Sequence, residues 1–329
     1  MNFTQLLSSP TSYSPAQKEL WTGRKTKPKL GVQYWYQQII LCELKRMNNI
    51  PQYEKHIALL GYACDEGVRR NNGRIGAAQG PDAIRKQLGR LAFHHQSKTI
   101  TDYGNLLCKN EDLEFCQNAL SMMTEHFISH GVFSIVLGGG HDLAFGHYKG
   151  IHRALAQTKA TSIGIINFDA HFDIRPIETQ PNSGTPFNQI VTEFPDSVSY
   201  FVLGIQKAAN PRELFTIAKE KNIDYLLHDR CEFNDFLMIK TKLDLFIKQN
   251  EVLYISIDLD GFSSAYAPAV SAPSPLGFSP NFFFKVLGYL MKSKKVVAVD
   301  LAELNPNFDR DHTTAILAVR IIDAVVEGL

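Results

Sequence analysis

From His56 onward the chain alternates two hydrophobic rhythms. Short runs rich in Val and Ile recur as HIALLGYA, FSIVLGG, TSIGIINFD, SYFVLGI, EVLYISIDLD and VVAVDLAE, apolar on both faces over roughly five to eight residues. Strands that are covered on both faces of a parallel sheet read this way. Between them lie longer segments with apolar positions at helical spacing, such as LEFCQNALSMMTEHFISH and PNFFFKVLGYLMKS. Strand and helix alternate, which predicts an α/β fold with a parallel sheet between helical layers. Residues 1 to about 30 are rich in Ser, Thr, Pro and Lys and read as a loosely held N-terminal arm. With no internal repeat and no low-complexity linker, residues 31–329 read as a single domain.

In open sheets of this kind ligands bind beyond the carboxyl ends of the strands. Three predicted strand ends carry an unusual density of metal-ligating side chains. Gly138-Gly139-Gly140-His141-Asp142 follows FSIVL, Asp169-Ala170-His171-Phe172-Asp173 follows SIGIINF, and Asp258-Leu259-Asp260 follows EVLYISI. Alternate residues of an extended segment point to one side, so Asp169, His171 and Asp173 are expected to project together, as are Asp258 and Asp260. With His141 they make four carboxylates and two imidazoles, a donor set sufficient for two bridged cations. Oxygen donors dominate and thiolates are absent, which favours hard or borderline ions, manganese above all, with nickel and cobalt still compatible. The triple glycine lets the backbone turn tightly beside a ligand.

Charge and cysteine usage narrow the class. Thirty-four basic residues balance thirty-three acidic ones, so neither nucleic acid nor an anionic membrane is indicated as a partner. Five scattered cysteines without a CxxC pair argue against a disulfide framework or a thiolate zinc site and read as reduced thiols. No basic start with an apolar run opens the sequence, and no stretch approaches the roughly 20 apolar residues of a membrane span. These features lead to the expectation of a cytoplasmic protein acting on a small molecule.

GGGHD, DAHFD, SIDLD and Ala302-Glu303-Leu304-Asn305-Pro306 resemble, in order, the signature segments of the ureohydrolase family of arginases, agmatinases and formimidoylglutamases. The resemblance implies a three-layer α/β/α arginase-like fold around a mainly parallel sheet of about eight strands, and two manganese ions per subunit. Carried over to this sequence, it makes His141, Asp169, Asp173 and Asp258 ligands of one ion and Asp169, His171, Asp258 and Asp260 ligands of the other. Two cations about 3.5–4 Å apart lower the pKa of a bridging water and present hydroxide to a planar amidine or guanidine carbon. Asp173 is similar to the family carboxylate that passes a proton to the leaving nitrogen. Glu303 resembles the residue that holds the cationic nitrogen end of the substrate. The family tends toward multimers, which leaves a homo-oligomer open.

Within the family, the branch is indicated by other stretches. Arginases often carry a proton-shuttling histidine in a Ser-Gly-x-x-His stretch, whereas this chain reads Asn182-Ser183-Gly184-Thr185-Pro186-Phe187. That stretch, with Trp21-Thr22-Gly23-Arg24, Asp65–Asn71, Gly73-Arg74, Gly80–Arg85 and Asp173-Ile174-Arg175, is similar to formimidoylglutamases. The reaction implied is hydrolysis of N-formimidoyl-L-glutamate to L-glutamate and formamide in histidine degradation. Such a substrate carries two carboxylates, so Arg175, Arg69, Arg70 and Arg74 are expected to grip it, with Asn182 and Ser183 beside them. The chain departs from that pattern at Asp142, where Glu is common, and at Lys25-Thr26, where Asp would follow Arg24. Three other readings remain: an agmatinase-like enzyme that releases urea, a metal-binding pseudoenzyme, and a deacetylase using one zinc on the same fold.

Overall fold

Successive residues of the apolar runs are buried on opposite faces, which divides the core into two layers, one on each side of a sheet. In the computed structural model, which describes residues 12–43, 55–156, 158 and 162–329, the strands are β1 (Tyr13–Ser14), β2 (Ile40–Leu41), β3 (His56–Ala63), β4 (Thr99–Leu107), β5 (Phe133–Leu137), β6 (Ile163–Phe168), β7 (Val198–Ile205), β8 (Asp224–Leu227), β9 (Val252–Asp258) and β10 (Val296–Ala302). The order is β1-β4-β3-β5-β10-β9-β6-β7-β8, with β2 also on β4. All pairings from β4 to β8 are parallel, and only β1 runs antiparallel to its neighbour. The expected parallel sheet is thus β3 to β10, extended at one edge by the two short strands.

The helices are α1 (Glu66–Arg70), α2 (Gly80–Leu88), α3 (Leu113–Ser129), α4 (Leu143–Leu155), α5 (Pro186–Glu193), α6 (Arg212–Glu220), α7 (Phe236–Gln249), α8 (Pro280–Lys292) and α9 (Thr313–Gly328). On β9, Leu253, Ile255 and Ile257 face the layer of α2, α7, α8 and α9. Tyr254, between them, faces the opposite layer, where α4, α5 and α6 pack. Over β3, α3 covers that same side with Leu113, Leu120 and Phe127 against Ala58 and Leu60. Local chemistry marks the helix starts. The Asp112 side chain accepts the Phe115 N–H at 2.9 Å to begin α3, and Ser279 caps α8 with Pro280 in its first turn.

The segment expected as an arm is docked where it is described. Residues 1–11 lie outside the described residues, but from Ser12 on the chain adds β1 to the sheet and buries Leu20 and Trp21. The Trp21 indole donates to Asp102 Oδ2 at 2.8 Å, and Arg85 grips the same carboxylate at 2.8 and 2.9 Å. A polar composition therefore conceals two large apolar anchors. Cys42, Cys64, Cys108, Cys116 and Cys231 are all free thiols, and Cys64 lies in contact with the thiols of Cys108 and Cys116. No helix among the described residues is long and apolar enough to cross a membrane.

Candidate metal centre

The metal-ligating side chains meet where β5, β6 and β9 end. His141 is delivered by the glycine turn, which threads between the ends of β3 and β10: Gly138 N donates to Leu301 O at 2.7 Å, Gly139 N to Tyr62 O and Gly140 N to Cys64 O, the last two at 2.8 Å. A Cβ on Gly139 would stand 1.8 Å from the Cys64 carbonyl oxygen. Glycine is required at that position by the approach of backbone to backbone. Asp169 follows β6, and Asp258 closes β9.

The convergence arises from turns rather than from continued strand. Asp169 Oδ1 accepts the His171 N–H and Asp258 Oδ1 accepts the Asp260 N–H, both at 2.7 Å. Leu259–Gly261 is a short 3-10 turn. Asp173 takes a left-handed backbone with φ 50°, as does Glu303 with φ 70°, conformations that cost free energy in non-glycine residues and gather at functional sites.

His141 Nδ1 lies 3.2 Å from Asp169, 3.0 Å from Asp173 and 3.1 Å from Asp258. His171 Nδ1 lies 3.1 Å from Asp260 and 3.5 Å from Asp169. The donors form two groups, His141-Asp169-Asp173-Asp258 and Asp169-His171-Asp260, with the atoms of each within 4.8 Å of one another. Asp169 belongs to both. Asp258, expected in both, falls in the first alone.

These groups fit cations. Ligand atoms about 2.0–2.2 Å from one ion stand about 3 Å apart when they are at right angles, close to the spacing around His141. Buried Nδ1 of His141 and Oδ1 of Asp260 have no hydrogen-bond partner. Burial and the neighbouring acids Asp260 and Asp169 push Asp258 well above the usual carboxylate range, and burial with Asp169 raises Asp173. Burial also raises Asp260. Asp169 is held low against its own burial by His141 and His171. Burial would lower both histidines, yet the carboxylates hold each well above its ordinary value. So much like charge in a dry place is unfavourable until positive charge sits among it.

Above the centre opens a cavity of about 80 Å³ lined by Asn71, His171, Asp173, Arg175, Ser183, Asp258, Asp260, Ser271, Ala272 and Glu303. Three roomier ones, about 420, 520 and 560 Å³, lie away from these groups, the first beside the opening residues of β7 and β8. Glu303 Oε1 accepts the His141 N–H at 3.0 Å, and Oε2 is buried without a partner. Burial pushes this carboxyl up to about 8.

The four arginines part company. Arg175 reaches the cavity, donating to Asn71 Oδ1 at 2.9 Å, and its guanidinium lies across Gly184, where a Cβ would stand 2.9 Å away. Arg69, Arg70 and Arg74 are absent from the lining. Arg69 is forked onto Glu66 through two bonds of 2.7 Å. Arg70 is spent on Glu66, Glu114 and the carbonyls of Pro181 and Glu111. Arg74 donates to the carbonyls of Val270 and Ser271 and stacks over Phe308. Ser183 lines the cavity, whereas Asn182 turns its oxygen onto the Gly184 N–H at 2.9 Å and shapes the loop. Phe187 packs edge-on against His141, ring centroids 5.3 Å apart. Sequence reasoning passed over Asn71, Ser271 and Ala272. Asn71 ends a stretch whose arginines drew the attention, and Ser271-Ala272 carries no local signal.

Fold and centre together define a member of the arginase family: its model matches residues 55–327, and the chain belongs to that family. Among curated relatives, the formimidoylglutamase of Clostridium tetani is 39% identical over 328 residues, covering 97% of this chain and 96% of that protein. Of solved structures, formimidoylglutamase from Bacillus subtilis superposes with a TM-score of 0.80 at 21% identity, covering 99% of this chain and 98% of that one. Formiminoglutamase from Trypanosoma cruzi with Mn2+ gives a TM-score of 0.73 at 25% identity, covering 84% and 93%.

Proposed function

We propose that the chain hydrolyses N-formimidoyl-L-glutamate to L-glutamate and formamide at a centre that holds two divalent cations, manganese by preference. The observation that carries this reading is the polarity of one cavity. Carboxylates and the unpaired Glu303 oxygen lie at its floor, and the Arg175 guanidinium lies among its lining. A substrate with a cationic amidinium at one end and carboxylates at the other matches that polarity, and the relative from Clostridium tetani bears the name of an enzyme for it. Dicationic agmatine would meet repulsion from Arg175.

His141, Asp169, Asp173, Asp258, His171 and Asp260 would hold the cations, which when bound make water acidic enough to attack near neutral pH. Glu303 Oε2 accepts N–H bonds from the amidinium and fixes the plane of the carbon to be attacked. Asp173, locked in its left-handed turn, takes the proton of the attacking water on its carboxylate and delivers it to the leaving nitrogen. Arg175, oriented by Asn71 and seated on Gly184, donates to a carboxylate of the glutamate end. Phe187 presents an apolar edge to His141, which suits a site that does not shuttle protons through that position.

Product analysis tests the proposal. Manganese-loaded protein is incubated separately with formimidoylglutamate and with guanidino compounds. Glutamate and formamide from the first alone support the assignment. Urea from a guanidino compound keeps the metal chemistry and overturns the substrate.

A further inference from the structure

Below the centre, on the face covered by α4, polar side chains stand where core would otherwise be apolar. Asp300 lies mid-strand in β10, wholly buried, in register with Ser256 of β9. Its Oδ1 accepts the Ser256 hydroxyl at 2.6 Å. Its Oδ2 accepts the Tyr254 hydroxyl and lies 2.6 Å from His147 Nδ1. Ser256 Oγ in turn lies 2.9 Å from His141 Nε2. His147 and Ser256 are both wholly buried, so no water competes for these groups.

Two hydroxyl hydrogens set the direction of the bonds that lead to His141. Tyr254 and Ser256 each donate a hydroxyl hydrogen to Asp300, and His147 turns Nδ1 to the same carboxylate. Ser256 has a single hydroxyl hydrogen, and Asp300 takes it. Ser256 Oγ can therefore only accept from His141, which places a hydrogen on Nε2 and makes Nδ1 the nitrogen available to bind a cation. That is the nitrogen facing Asp169, Asp173 and Asp258. His147 Nε2 meets the Ser134 hydroxyl at 3.1 Å.

We propose that Asp300 is a positioning residue for the metal centre: acting through Ser256, it fixes the tautomer of His141 and presents Nδ1 as a ligand. This rests on the metal-centre reading above but not on the identity of the substrate. A knot that merely tied β9, β10 and α4 together would have no need of a link to His141.

The test compares Asp300→Asn, Ser256→Ala and Ser256→Thr with the unaltered chain by manganese titration, followed by EPR, with thermal unfolding of the metal-free proteins alongside. Asp300→Asn and Ser256→Ala are expected to weaken one of the two sites by about 10- to 100-fold, as loss of an outer partner does, and Ser256→Thr to stay within about threefold because it keeps the hydroxyl. Should Asp300→Asn not fold, Ser256→Ala carries the comparison. Unchanged manganese affinity in a folded Ser256→Ala protein, or equal losses in Ser256→Ala and Ser256→Thr, overturns the relay. Turnover of formimidoylglutamate by the unaltered chain is read separately, so a wrong substrate and a wrong relay give different results.

Discussion

A guanidinium can serve a ligand only with donors that the protein has not already used. Arg70 illustrates the constraint, for its donors meet two carboxylates and two carbonyls. Arg175 makes one side-chain hydrogen bond among the described residues, to a neutral amide, at the cavity wall. Replacing Arg175 with Ala should raise KM for formimidoylglutamate about 10- to 100-fold with little loss of kcat, since a charge-assisted bond is made equally in ground and transition states. Replacing Arg70 with Ala should leave KM within about twofold and lower Tm instead, because Glu66 would stay buried with a partner lost. Steady-state kinetics beside calorimetry separates the two.

At the level of elements, chemistry sits on strand ends because the turn after each strand is free to aim a side chain while its strand is fixed. The glycine turn after β5 is the tightest of them. Gly139→Ala should displace the Cys64 carbonyl or the turn itself, since the added Cβ meets backbone rather than a flexible tip. A loss of Tm together with at least about tenfold weaker manganese binding is expected, read by the same titration. Strands β3, β5, β6, β7, β9 and β10 were legible because burial on both faces writes itself as apolar runs, and the donors because carboxylates beside such runs need a reason; β4, with Thr, Asp and Asn along TITDYGNLL, and the short β8 did not stand out. What could not be read was non-local. Besides Glu66, the partners of Arg70 come from residues more than forty positions away, such as Glu114 and Pro181. Ser271 reaches the cavity on a loop with no distinguishing pattern, and Trp21 docks an otherwise polar segment by one indole N–H. Alternation along a strand would bring Asp169, His171 and Asp173 to one side, whereas turns aim them, Asp173 toward one group of donors, His171 toward the other and Asp169 into both.

For the molecule as a whole, the centre makes stability depend on pH and metal together. Burial raises Glu303 from 4.5 to about 8 and Asp142 from 3.8 to about 7. Between about pH 5 and 7 the folded metal-free chain therefore holds protons that the unfolded chain has released, and stability falls as pH rises. His141 and His171, held high, act in the same direction above their ordinary value of 6.5. Asp169, held low, opposes this only below its ordinary 3.8. Metal-free protein should lose on the order of 5 °C in Tm from pH 5.5 to 7.5. Manganese should reverse the trend, its stabilisation growing with pH as the ligands shed their protons. Calorimetry across that range with and without the ion checks both statements.

Strand β10 lies between β5 and β9, although it is the last of the described strands to be made. A ribosome that has synthesised residues 1–295 has already delivered every one of the six candidate ligands. The gap between the ends of β5 and β9 is nevertheless still open, about two strand spacings, near 10 Å, wide in the finished sheet. Domains emerging from the N-terminus first cannot form this centre early. Its completion waits for the C-terminal strand that also brings Asp300 and Glu303. Metal loading then becomes a mark of a chain made through β10: a protein ending before Val296 should take up no manganese tightly, a result that equilibrium dialysis would show directly.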